Sequence, residues 1–157
     1  MKKDNSTKLI RSGLKRTEFM ETSEPLFLTS GFVYNSAEEA EDAFKERKKR
    51  FMYSRFGNPT VQMLQDKLAD IEGAEVCWCT STGMAAVFTI FMSYLKKGDR
   101  VVAGRALFGS CHHIITKILP RFGIEVELVD GKDLNAWEKA LKKKTSLIFF
   151  ETPSNPC

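Results

Sequence analysis

Thr80-Ser81-Thr82-Gly83-Met84-Ala85-Ala86 joins a short apolar stretch to a long one. Small hydroxyl residues and a glycine let the backbone approach a ligand closely. A helix starting there offers unpaired N–H groups and a partial positive charge, which together suit a phosphate. The same residues also suit a plain Ser/Thr helix cap. Neither GxxxxGK[ST] nor GxGxxG spacing occurs. In Ala106-Leu107-Phe108-Gly109-Ser110, Gly109 frees a turn, and Phe108 could lie over a flat ring or fill a core. In Glu151-Thr152-Pro153-Ser154-Asn155-Pro156, two prolines fix the backbone and aim Glu151 and Asn155. A glutamate leaving a buried strand needs a partner or water; a surface loop is the alternative. In Tyr53-Ser54-Arg55-Phe56-Gly57-Asn58-Pro59-Thr60, Arg55 supplies a planar fork for phosphate, and Tyr53 can present its hydroxyl on the same side of an extended segment.

These stretches need elements to hold them. Asn58 can cap a helix with Pro59 at its first position; Val61, Leu64, Leu68 and Ile71 share one face, and Gly73 stops it. Residues 75–80 read as a buried strand with Cys77 and Cys79 on one face. Residues 82–95 read as a helix apolar nearly all round, therefore buried. Strands follow at 100–103, 125–129 and 146–150. Between them lie helices at 110–122, ended by Gly123, and at 134–142, amphipathic through Leu134, Trp137 and Leu141. Strand and helix alternate four strands deep, which argues an open α/β sheet with ligands bound beyond the carboxyl ends of the strands. Residues 1–57 are less regular. Ser36-Ala37-Glu38-Glu39 resembles a capping box opening a helix through about Lys49. This segment is sparse in apolar residues and reads as an arm packed on something else, so that Tyr53 and Arg55 can reach a different subunit.

The composition is that of a soluble globular chain: 157 residues, 43% hydrophobic, 28% charged, net charge +4. The basic runs at 45–50 and 142–144 read as solvated helix faces or ends rather than a nucleic-acid patch. Cysteine spacing gives no CxxC pair and His112-His113 do not share a helix face, so no metal site is expected. The start, Met1-Lys2-Lys3-Asp4-Asn5-Ser6, has no apolar run behind it, so no signal peptide is expected. The longest apolar stretch, Met84 to Leu95, falls short of the ~20 residues a bilayer span needs. A cytoplasmic, reducing setting without a membrane or nucleic-acid partner is expected.

In order, YSRFGNPT, STGMAA, LFGS and ETPSNP resemble the Cys/Met-metabolism family of pyridoxal-phosphate enzymes, over about Ile10 to Cys157. Within it, SEPLFLTSGFVYNSAEEAEDAF and ALFGS look most like the branch that joins sulfide to a succinylated homoserine. A synthase or lyase acting on cystathionine is the alternative within the family. A non-catalytic protein binding phosphate ligands or nucleic acid is the alternative outside it.

The resemblance implies an aspartate-aminotransferase-like α/β fold (PLP fold type I). Residues 1–57 would be the N-terminal arm and 58–157 the first part of a large domain with a mostly parallel sheet. It implies pyridoxal 5'-phosphate as cofactor and a homotetramer of tight dimers with shared active sites. Gly83 and Met84 would hold the cofactor phosphate, and Tyr53 and Arg55 would reach it in the neighbouring subunit. Phe108 would stack on the ring. Most of the family has tyrosine there, with a role in proton handling that phenylalanine cannot fill. Asn155 would sit near the cofactor's phenolic oxygen and the substrate carboxylate, with Glu151 in support. The family's Asp for the pyridinium nitrogen and its Ser-x-Thr-Lys Schiff-base lysine do not occur here, and Lys96 and Lys97, in an exposed turn, are poor substitutes. The expectation is an N-terminal fragment of an enzyme of methionine biosynthesis. There, succinate leaves Cγ of the activated homoserine and sulfide replaces it, giving homocysteine.

Overall fold

The computed structural model describes residues 5–155; Met1 to Asp4, Pro156 and Cys157, on which parts of the sequence reading fall, lie outside the described residues. The chain forms two compact units, Met1–Cys79 and Thr80–Cys157.

In the first unit, α1 (Asn5–Arg11) packs on α3 (Pro59–Glu72). Lys8 Nζ donates to Asp70 at 2.9 Å, and Lys15 pairs with Asp66 at 2.9 Å. Gly13 lets the chain cross α3. Its φ is +73°, and a Cβ there would lie 2.8 Å from the Lys67 nitrogen and collide with the Met63 carbonyl oxygen. The start and stop of α3 follow the sequence signals. Asn58 Oδ1 accepts the Thr60 N–H at 2.9 Å, Pro59 opens the helix, and Gly73 ends it at φ +67°. Its buried side is not the expected one. Met63, Gln65 and Ala69 are buried, while Val61, Leu64 and Leu68 stay exposed. The preceding segment crosses the Met63 side, and that contact selects which face is covered. The helix expected through Lys49 is shorter: α2 (Ala37–Phe44) starts on a Ser36 cap, as expected, and stops where Glu46 takes φ +55°. The basic run beyond it is turned back on α2, with Arg47 on Asp42 and both Lys48 and Arg50 on Glu39.

In the second unit, β1 (Arg100–Gly104), β2 (Glu125–Val129) and β3 (Leu147–Phe149) form a parallel sheet in the order β2-β1-β3. The expected strand at 75–80 is absent as a strand. It keeps the alternation, with Cys77 and Cys79 half-buried and Val76 and Trp78 exposed, but no ladder forms. Alternation records which side chains share a side; a strand also needs a neighbouring backbone, and none of the described residues supplies one. β1 is buried throughout. Val101 and Ala103 face a core with Phe91 of α4 (Gly83–Tyr94), Leu95 just after it, and Ile115 and Leu119; Val102 faces Val129 and Ala140 beneath α6 (Leu134–Leu141). Helices therefore cover both sheet faces, as the alternation predicted.

Three local expectations change. α4 buries only Phe91 fully, with Ile90 and Tyr94 exposed, because only its sheet-facing side meets a described partner. The helix expected at 110–122 is composite. α5 (Gly109–His113) continues through a wider turn at Ile114–Ile118 into a tight turn at Leu119–Phe122, where Pro120 cannot donate, and Gly123 at φ +73° stops it as expected. Leu134 is exposed, since α6 meets the sheet through Ala140 and Trp137 instead. Among the described residues no helix is long and apolar enough to cross a membrane, and no cluster of three His, Cys, Asp or Glu could hold a metal.

Ion pairs give the fold a defined acid response. Hydrogen bonds from Lys67, Lys15 and Lys143 hold Glu24, Asp66 and Glu125 below their ordinary carboxylate values. A carboxylate depressed in the folded state stabilises above its unfolded pKa, and that contribution is lost as pH falls through the folded value. The thermal midpoint, followed by circular dichroism, is expected to hold near neutrality and to fall once pH drops below the ordinary carboxylate range. A midpoint flat from neutrality to pH about 3 would show that these pairs stabilise nothing.

Candidate functional site

β1 and β3 are neighbours in register, with Ala103 opposite Phe149. The chain leaves β1 for β2 on one side and reaches β3 on the other, so the exits of β1 and β3 flank a topological switch point, where open α/β sheets bind ligands. Phe108 follows β1 and Glu151 follows β3. The structure brings them together: the Phe108 N–H donates to Glu151 Oε2 at 2.9 Å. The Phe108 ring is 42% exposed, which leaves a face for a planar ligand. Cys111, one turn further on, is buried, and burial together with the nearby Glu151 carboxylate pushes the thiol above its usual range.

α4 begins in the same unit. Thr82 caps it: its Oγ1 accepts the Ala85 N–H at 3.0 Å and its carbonyl accepts that of Ala86 at 3.1 Å. The Gly83 and Met84 N–H groups have no acceptor among the described residues. A Cβ on Gly83 would meet nothing within 4 Å, so the approach to these donors is open. The Met84 side chain packs against the core that contains Leu107 and Cys111. α4 and α5, the helix that Phe108 precedes, share that core and touch one another. Two free donors at the positive end of a 12-residue helix fit the phosphate of pyridoxal phosphate, and the half-open Phe108 ring fits its pyridine.

Asn155 lies exposed beyond Glu151. A hollow of about 650 Å³ opens at the carboxyl ends of the strands on the α6 face, lined by Gly104, Asp130, Trp137, Phe150, Glu151 and Ser154. Gly83, Met84 and Phe108 do not line it, so it is not the phosphate seat.

Tyr53 and Arg55 belong to the first unit. Tyr53 bridges Gly31, and Ser54 N–H donates to the Ser30 carbonyl at 2.8 Å, so the loop is tied to residues 29–32. The Arg55 guanidinium lies 5.1 Å from the centre of the Tyr53 ring and 5.2 Å from that of Phe56. Arg55 is exposed and has no carboxylate partner among the described residues. Lys96 and Lys97 are exposed, as expected. The Phe108–Glu151 link had no sequence signal.

Residues 6–157 match the family model described as Cys/Met metabolism PLP-dependent enzyme. The chain is 50% identical over 147 residues to an O-succinylhomoserine sulfhydrylase of Mycobacterium tuberculosis, covering 94% of this chain and 36% of that protein. It is 41% identical over 150 residues to an O-succinylhomoserine sulfhydrylase of Pseudomonas aeruginosa, covering 96% of this chain and 37% of that one. Its structure is similar, with a TM-score of 0.88 and 28% identity, to a Campylobacter jejuni protein described as an O-acetylhomoserine (thiol)-lyase and holding N'-pyridoxyl-lysine-5'-monophosphate. The match covers 98% of this chain and 38% of that one. The chain thus spans little more than a third of the length of these relatives.

Proposed function

Because this chain belongs to the Cys/Met metabolism family of PLP-dependent enzymes, we propose that it carries the phosphate cradle and ring shelf of a sulfhydrylase. That enzyme makes homocysteine from O-succinylhomoserine and sulfide, in the cytoplasm. Residues 1–57 serve as an arm and 58–157 as the first part of the cofactor domain. The two unpartnered donors at Gly83 and Met84, on a helix that shares its core with the helix following Phe108, are the observation that supports this reading most directly.

Bound pyridoxal phosphate supplies an electron sink for carbanions at Cα and Cβ of the substrate. The residues of this chain bind and orient. Gly83 and Met84 donate backbone N–H groups to the phosphate. Phe108 lies on the pyridine ring and excludes water from that face. It has no hydroxyl, so proton transfer belongs to another group. Asn155 donates to the cofactor's phenolic oxygen and the substrate carboxylate. Tyr53 and Arg55 reach the phosphate of a neighbouring subunit, Arg55 as a fixed charge and Tyr53 through its hydroxyl.

The test is turnover by the full-length protein. O-Succinylhomoserine and sulfide are expected to give homocysteine and succinate, and inactivity with every activated homoserine would refute the assignment. The 157-residue chain alone, treated with cofactor and borohydride, is expected to fix no cofactor on any particular lysine. One stoichiometrically labelled lysine would contradict the division of labour proposed here.

A further inference from the structure

We propose that Glu151 is a positioning residue, whose carboxylate sets the pitch of the Phe108 ring by holding the Phe108 N–H across the exits of β1 and β3. The inference rests on Phe108 being the ring shelf. Phe108 is half exposed, and water would satisfy its N–H at no cost in structure. A carboxylate from a different strand takes it instead, at 2.9 Å and 43 residues away in sequence. The two exits are close: a Cβ on Gly104 would lie 3.5 Å from that of Phe150, the residue before Glu151.

Cys111, on the same turn, anchors the segment after Phe108 in the core. Its thiol feels the Glu151 carboxylate, which together with burial pushes it above its usual range, and its side chain sits at 5% exposure in the core with Phe91 and Ile115. Glu151 therefore refers Phe108 to the core rather than to a mobile loop. With the Phe108 N–H held by Glu151 and the Cys111 side chain buried three residues on, the ring keeps mainly its two side-chain torsions. An aromatic face is useful to a planar ligand only at the right offset and tilt, and a misplacement on the order of 1 Å can cost about 100-fold in rate.

The test uses the full-length holoenzyme. Glu151→Ala is expected to lower kcat by about 10- to 100-fold, with KM little changed. It should also reduce the visible circular dichroism per bound cofactor. Glu151→Gln, which keeps an oxygen acceptor for the N–H, is expected to recover most of both. Because Glu151 acts through Phe108, the Phe108→Ala/Glu151→Ala double variant should be no slower than Phe108→Ala alone. If Glu151→Ala does not fold, Glu151→Asp replaces it, with a smaller loss of the same kind and an unchanged melting point. Additive losses in the double variant, or wild-type kcat and dichroism in Glu151→Ala, overturn the proposal. A wild-type protein that binds no cofactor overturns the reading of the site itself, and the role of Glu151 with it.

Discussion

Replacing Gly83 with proline is expected to weaken pyridoxal phosphate binding by about 10- to 150-fold, the loss of one charge-assisted hydrogen bond of about 1.5–3 kcal/mol, while the protein stays folded. The position makes this a clean experiment. Gly83 is the first residue of α4, where proline's missing N–H breaks no helical bond. Proline requires an extended residue before it, and Thr82 already has φ −151° and ψ 158°. The Thr82 cap on Ala85 is untouched. A Cβ at 83 meets nothing within 4 Å, so the substitution leaves the protein's own packing undisturbed while it replaces the N–H by a ring carbon. The restricted unfolded chain leaves the melting point unchanged or slightly raised. Affinity is read by titrating full-length apoprotein with cofactor and following visible absorbance. Alanine at 83, which keeps the N–H, separates the change at the backbone nitrogen from crowding by a Cβ. Undiminished affinity in the proline variant would mean that the phosphate does not sit at the start of α4.

Phe91→Ala is expected to cost about 3–5 kcal/mol, a large share of the roughly 5–15 kcal/mol that holds an ordinary domain together. Phe91 is fully buried, and its ring centre lies 5.1 Å from that of Phe149 on β3. It is the peg that fixes α4, which carries the two unpartnered N–H groups, against the strand that delivers Glu151. Urea denaturation measures the loss. A cost below about 1 kcal/mol, the level of a surface change, would show that α4 is held by something other than this contact. In the holoenzyme the same variant should bind cofactor more weakly, since the proposed phosphate seat and ring shelf would no longer be held at one spacing.

Local chemistry was legible in the sequence wherever a residue acts on its own backbone. Asn58 with Pro59, Ser36, Gly73 and Gly123 each start or stop an element where the sequence put them. The three parallel strands were legible because each is a short stretch, apolar or alternating, between turn residues. What failed depends on neighbours. The 75–80 segment has the alternation of a strand and no ladder, and the apolar side of α3 that looked like its core face is the exposed one. At the site, the free donors of Gly83 and Met84 follow from the cap sequence. A bond from Phe108 to Glu151 pairs a backbone group with a distant side chain, and no spacing rule records such a pair.

Arg55, set against the faces of Tyr53 and Phe56, arrives at its task with much of its freedom already gone. A lone arginine surrenders up to about 2 kcal/mol of rotamer entropy when it closes on an anion. One braced by two aromatic rings has surrendered part of that during folding, and has shed some hydration on its flat sides while its edge stays wet. Lysine has neither a flat side to brace nor a fork to offer, so at this position the two cations are different tools.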